Sequence, residues 1–226
     1  TTLAGVQIPV GTTGTPTTTV TWRLYDLSNR VGATCQTVFT ISDPQPPVVV
    51  AVSNHTRTTD AGQPDYTIKV GDGWDPSVSD NCTVQKITYK IGTQDAVGTD
   101  LTTTLVGVKL PVGTHNILWT ATDIYGNTGT GGYQVTVTDV ELPTAVCNNI
   151  TVQLDGTGNY SLTQANIEAI GLGSTDENGP ITMTVTPNVF DCTSIGENAV
   201  LLTVTDKYGN ESTCNTAKVT VQDVTP

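Results

Sequence analysis

The stretch ILWTATDIYGN (Ile117–Asn127) decides the fold. Ile117, Trp119 and Ala121 alternate with Leu118 and Thr120, the period of two of a half-buried antiparallel strand. Asp123-x-x-Gly126-Asn127 then breaks the strand. Gly126 can take a positive φ, Asn127 tolerates one, and Asp123 can accept hydrogen bonds from amides two residues on. GYQVTVTD follows, alternating Tyr133, Val135 and Val137. The whole reads as a hairpin joining the last two strands of a sandwich.

The same unit occurs three times, as VTWRLYDLSNR (Val20–Arg30), as the stretch above, and as LLTVTDKYGN (Leu201–Asn210). Two copies are preceded by a shared L-x-G-V-x-φ-P-V-G-T, in LAGVQIPVGT from Leu3 and LVGVKLPVGT from Leu105, where φ is aliphatic. Each ends in an acidic, proline-bearing tail: TVFTISDPQPP, YQVTVTDVELP and AKVTVQDVTP. The turn aspartates Asp26, Asp123 and Asp206 lie 97 and 83 residues apart, the size of a small β-sandwich. The turn motif proper is Asp123, Gly126 and Asn127, and again Asp206, Gly209 and Asn210. Residues 1–46 then form the C-terminal half of one immunoglobulin-like repeat, with full repeats at 47–142 and 143–226. The linkers DPQPP, DVELP and DVTP are short and stiffened by proline. The expectation is an all-β chain of tandem immunoglobulin-like sandwich modules arranged end to end as a semi-rigid rod.

Composition agrees. Threonine and valine, β-branched and suited to strands, dominate. Only Thr163–Ile170 (TQANIEAI) reads as helix. The net charge is −12 with nine Lys and Arg, which argues against nucleic acid and against an anionic membrane surface. No stretch is long and apolar enough to span a bilayer as a helix. The opening residues, TTLAGVQIPVG, read as domain interior rather than signal peptide, and the expectation is an excerpt of a longer chain. Five cysteines, Cys35, Cys82, Cys147, Cys192 and Cys214, form no CxxC or metal-type cluster. Their wide spacing fits disulfides in an oxidising, extracellular compartment.

The order Asp-Asn-Cys, P-V-G-T, T-A-T-D-x-x-G-N and V-T-V-T-D-x-x-x-P resembles the hyalin repeat, an immunoglobulin-like extracellular module. In the third module, Pro143-Thr-Ala-Val-Cys147, Ile150–Asp155, Gly173–Asp176, Phe190-Asp-Cys192 and Ser212-Thr-Cys214 are similar to repeats of giant surface adhesins in the Bacteroidetes. Gliding-motility adhesins of the SprB type are the best-known kind. The resemblance covers essentially the whole chain. It implies a long secreted filament on the cell surface, acting in adhesion or gliding motility. Its partners would be neighbouring repeats of the same polypeptide and, through other regions, an external surface, polysaccharide or host ligand. The bacterial repeats usually carry four cysteines. Module three keeps the first, third and fourth, with Asn178 at the second. Module two keeps the second, Cys82, and has Gly131 at the fourth. This pattern implies a Cys147–Cys192 disulfide, with Cys82 and Cys214 left as orphans.

Catalysis finds little support: there are two histidines, His55 and His115, and no nucleophile elbow, metalloprotease helix or phosphate loop. The reading is non-enzymatic. Calcium is the better chemical hypothesis, because it takes six to eight oxygens from carboxylates, amides and backbone. The candidates are Asp43, Asp139 and Glu141 at the junctions, Asp72, Asp75, Asp80 and Asn81 in one loop region, and Asp155, Asp176 and Glu177 in another. The alternative is that each aspartate caps its own turn. Trp74, in the loop GDGWDP, is either a sugar-stacking contact or packed beneath its own loop. The functional expectation is a stalk segment of a cell-surface adhesin. The alternatives are a glycan- or protein-binding sandwich, or an accessory domain of a secreted hydrolase.

Overall fold

The computed structural model of the chain describes residues 17–224. It is nearly all β, with strands in seven sheets and one short helix among the described residues. The first segment is a hairpin, β1 (Thr17–Tyr25) with β2 (Val31–Thr40). The first L-x-G-V-x-φ-P-V-G-T copy, and with it part of the 1–46 half-repeat, lies outside the described residues. The second segment holds β3 (Val48–Val50), β4 (His55–Thr58), β5 (Asp65–Thr67), β6 (Ser77–Ser79), β7 (Val84–Ile91), β8 (Lys109–Pro111), β9 (Gly113–Asp123) and β10 (Thr128–Thr138). Its main sheet runs β4-β10-β9-β7, beside the pairs β3-β6 and β5-β8.

The third segment holds β11 (Ile150–Gln153), β12 (Asn159–Ser161), α1 (Gln164–Ile170), β13 (Thr182–Thr186), β14 (Val189–Asp191), β15 (Gly196–Ala199), β16 (Leu201–Thr205), β17 (Glu211–Cys214) and β18 (Lys218–Gln222). Its sheets run β11-β18-β15, β13-β16-β17 and β12-β14. Among the described residues, no strand pair joins residues on opposite sides of Pro46 or Leu142. By density of contact the chain forms two compact units. Among the described residues, one takes in 17–55, Ile68–Val108 and Thr114–Val135. The other takes in Thr56–Thr67, Lys109–Gly113 and 136–224.

In the first unit the alternation of β9 holds: Ile117, Trp119 and Ala121 are at most 1% exposed. Each faces a β7 residue in register, Ile91, Tyr89 and Ile87, and the Tyr89 and Trp119 rings sit 5.2 Å apart. Tyr133 and Val135 of β10 join this core, and the Tyr133 hydroxyl donates to the Trp74 carbonyl at 2.6 Å. In the second unit Val152, Ile170, Phe190, Leu202, Val204, Val219 and Val221 form one apolar cluster. Burying each such side chain is worth about 1.5–3 kcal/mol. The helix forms where TQANIEAI places it. Thr163 caps it in a reciprocal box with Asn166, and Ile170 turns its last residue into the core.

The final hairpin departs from the repeat. In the second segment β10 is one strand of eleven residues. In the third, the same stretch breaks at Asn215–Ala217, so that β17 pairs with β16 while β18 crosses to join β15 and β11. That crossing decides the disulfide. Cys214, at the end of β17, bonds Cys147, with Cα atoms 6.0 Å apart and a sequence separation of 67. The expected Cys147–Cys192 bond is therefore corrected. Cys192 opens a 3-10 turn after β14, where its thiol meets the Gly158 carbonyl, and it is free, as are Cys35 and Cys82. By loop-closure entropy the observed bond is worth about 4 kcal/mol.

The second segment has no such bond at the equivalent place. Ala51 and Gly131 stand where Cys147 and Cys214 stand in the repeat. A Cβ on Gly131 would lie 2.8 Å from the Val49 carbonyl oxygen and 3.3 Å from the Ala51 Cβ. Two positions earlier, a Cβ on Gly129 would lie 1.7 Å from the Pro47 carbonyl oxygen. Close backbone approach replaces the covalent staple.

Two outcomes follow. A thiol assay on the denatured, unreduced chain should return three thiols, and Cys214→Ser should lower unfolding stability by about 2–5 kcal/mol. Gly129→Ala should destabilise more than Gly131→Ala, each by at least about 1–3 kcal/mol in urea unfolding, because backbone must move to admit the new methyl.

Candidate metal centres

The repeated turn is built as the sequence implies. Asp123 Oδ1 accepts from the amides of Tyr125 and Asn127 at 2.8 Å each, and its Oδ2 accepts from the Asn127 side chain at 2.7 Å. Asp206 repeats the three bonds with Tyr208 and Asn210 at 2.8, 2.8 and 2.7 Å. Gly126 and Gly209 take φ of 90° and 92°. In the first hairpin Asp26 accepts from Ser28 and Arg30, and Asn29 takes the positive φ at 59°. Asp155 builds the same turn, accepting from the amides of Thr157 and Asn159.

These turns meet the linkers. The Asn127 side chain also donates to the Asp43 carbonyl at 2.8 Å, and Asn210 reaches the Asp139 carbonyl at 3.5 Å. A loop grips each linker carboxylate as well: Asn81 donates to Asp43 at 3.3 Å and Asn178 to Asp139 at 2.8 Å. Asp80 and Asp176 close that loop by accepting from the amides of Cys82 and Asn178. The linker aspartates are each 8% exposed.

Two acidic clusters result. Asp43, Asp80 and Cys82 each offer a ligand atom within 4.8 Å of the others, and so do Asp139, Asp176 and Asp206. Residues 43, 80 and 82 stand 96 positions before 139, 176 and 178. The clusters are thus one repeated construction, with Cys82 where the second has Asn178.

Their electrostatics differ. The Cys82 thiol contact and the Gln45 amide hold Asp43 below its ordinary value. In return Asp43, first by that contact, pushes the Cys82 thiol up to about 11, with Asp80 and Asp123 adding to the rise. In the second cluster burial raises Asp206, but hydrogen bonds from the Asn210 side chain and the turn amides outweigh it and hold the group low. Beside it a hydrogen bond with Glu141 pushes Glu177 up. Glu141 also accepts from the Gly62 amide, and its own amide donates to Asp139.

Of the calcium candidates, the structure brings together Asp43, Asp80 and Asn81, and Asp139 and Asp176 with Glu141 and Glu177 nearby. It separates three others. Asp72 accepts from the Lys69 amide, Asp75 pins Thr104 and the Leu105 amide, and exposed Asp155 serves its own turn. Asp75 and Asp155 belong to neither cluster, and nor does Asp72. Trp74 is corrected as a ligand contact: it is 2% exposed, stacked on His55 at a ring separation of 5.0 Å. Two ligand-type residues were missed, Cys82 and Asp206. The 96-residue offset that carries the linker and loop positions would have found Cys82. In the sequence Asp206 reads only as the aspartate of its turn motif.

The sequence matches no protein-family model and no curated protein. Solved structures align with the chain at low similarity. Human mucin-like protocadherin EC1-2 aligns over 80% of this chain and 100% of that one, with 9% identity and a TM-score of 0.42. The SrpA adhesin of Streptococcus sanguinis aligns over 81% and 99%, at 11% identity and 0.30. SGBP-B of the Bacteroides ovatus mixed-linkage glucan utilization locus, solved in complex with a mixed-linkage heptasaccharide, aligns over 78% and 48%, at 14% identity and 0.28. Likeness at this level carries no argument about function.

The aspartates set a pH dependence. Asp43, Asp100, Asp155, Asp191 and Asp206 are all held below the ordinary 3.8. A carboxylate lowered by folding adds stability above its unfolded value, and that stability is lost as pH falls through the lower folded value. Glu177, raised above 4.5, acts oppositely, favouring the fold at low pH and losing that contribution as pH rises. Five groups outweigh one. The urea midpoint should therefore fall between about pH 6 and about pH 3, and Asp206→Ala should flatten that fall.

Proposed function

We propose that this chain is a non-catalytic structural segment of an extracellular cell-surface adhesin, of the kind used in adhesion or gliding motility. One observation carries the reading: each linker aspartate is buried, its carboxylate gripped by the loop and its backbone carbonyl by the turn of the module that follows it. Asp43 is held through Asn81, Cys82 and Asn127, and Asp139 through Asn178 and Asn210. A linker built into the next module transmits force between modules instead of bending freely. The stapling bond Cys147–Cys214 suits the same role in an oxidising compartment. The motif resemblance to hyalin-type and giant adhesin repeats supports it. Partners of the segment are then neighbouring repeats, with an external surface or polysaccharide met elsewhere on the polypeptide.

Calcium fits the second cluster. Asp139, Asp176 and Asp206 supply carboxylate oxygens, and a buried oxygen of Asp176 (Oδ2) accepts no hydrogen bond. These residues would hold the ion, and the ion would stiffen the junction. Burial of Trp74 weighs against the glycan-binding alternative, since it removes the aromatic best placed to stack on sugar.

Antibody against the fragment should label intact cells of the source organism, and labelling only after lysis would contradict the reading. Calcium at a hundredfold excess over Kd should raise the unfolding midpoint by about 5–10 °C. Asp139→Asn with Asp176→Asn should abolish the rise. No change with chelator would mean that these carboxylates only cap turns.

A further inference from the structure

The first cluster is not a copy of the second. At the position of Asn178 it carries Cys82, whose sulfur lies within 4.8 Å of ligand oxygens of both Asp43 and Asp80. Asp43 is 8% exposed, and its Oδ2 and the Oδ1 of Asp80 each expose less than 1 Å² and accept no hydrogen bond. Among the described residues the side-chain donors facing Asp43 are the Cys82 thiol and Asn81, and a thiol is a weak donor. Buried anionic oxygens left this way are costly unless a cation takes them.

We propose that Asp43, Asp80 and Cys82 bind one divalent cation of the thiophilic class, zinc above all, and not calcium. Two carboxylates and a thiolate are a zinc ligand set, whereas calcium takes oxygens alone. On a tetrahedral zinc, with bonds of about 2.0–2.3 Å, ligand atoms sit about 3.3–3.8 Å apart. A spread of no more than 4.8 Å needs a contraction of at most about 1.5 Å to reach that. As the sulfur–metal bond forms, the thiol proton leaves to water, and affinity should rise with pH. Asp123, committed to its turn by three hydrogen bonds, adds negative charge beside the ion without needing to ligate it. The site does not depend on calcium at the second cluster.

The test uses the full chain with Cys35→Ser and Cys192→Ser, which leaves Cys82 as the sole free thiol. Cadmium, a spectroscopic stand-in for zinc, should bind one equivalent with an ultraviolet sulfur-to-cadmium charge-transfer band. Zinc should displace it, and a large excess of calcium should not. Asp43→Asn should weaken zinc about tenfold or more in competition with a chromophoric chelator. Cys82→Asn, which installs the residue of the second cluster and so is compatible with the fold, should abolish the band while near-ultraviolet circular dichroism stays native. A missing band, a band that survives Cys82→Asn, or ready displacement by calcium would each overturn the proposal. Calcium stabilisation lost with Asp139→Asn but no cadmium band would sink this site and leave the second cluster standing.

Discussion

The structure depends on buried turn carboxylates whose oxygens are filled with donors. Asp123 is fully buried and Asp206 is 5% exposed, in hairpins between apolar strands. An ionised carboxylate there is tolerable only if its oxygens are filled with donors. The D-x-x-G-N turn supplies two backbone amides and one side-chain amide to each. The glycine is required because only it reaches φ near 90° without strain, so that the amides point inward. The closing asparagine then spends its second proton on the linker carbonyl, and through it the hairpin holds the entry to its own module.

Around that common device the two repeats are fastened differently. One closes Cys147 to Cys214, and the other presses Gly131 against Val49 and Ala51. One fills the junction with Asn178, whose amide donates to Asp139, and the other with Cys82, whose thiol faces Asp43. The scaffold is therefore indifferent to which chemistry fills these positions, as long as the volume fits. That is what packing constraints predict for a core specified chiefly by size and pattern.

Local physics made much of this legible in the sequence. The alternation at Ile117, Trp119 and Ala121 survives because strand period and burial coincide. The turn was legible because glycine, asparagine and aspartate have distinct backbone roles. The helix at 164–170 was legible from TQANIEAI. The disulfide was not, because the family pattern takes no account of β18 leaving the hairpin to join another sheet, which keeps Cys214 beside Cys147 and leaves Cys192 at the far end of β14. The clusters were legible only in parts. Asp72, Asp75 and Asp155 look like Asp43 and Asp80 in a string of Gly- and Ser-rich turns. What separates them is convergence on the linker aspartate of residues 37 to 67 positions further on, which no local pattern records.

The account's central claim is that the turn carboxylate organises the junction beyond its own hairpin. Amide hydrogen exchange on Asp123→Ala tests it most directly. Faster exchange is expected at Tyr125 and Asn127, which lose their acceptor, and also at Gln45 and Cys82, whose amides are held by Asp43 and Asp80. Loss of protection confined to Tyr125 and Asn127, with Gln45 and Cys82 unchanged, would contradict it and reduce the aspartate to a cap on one turn.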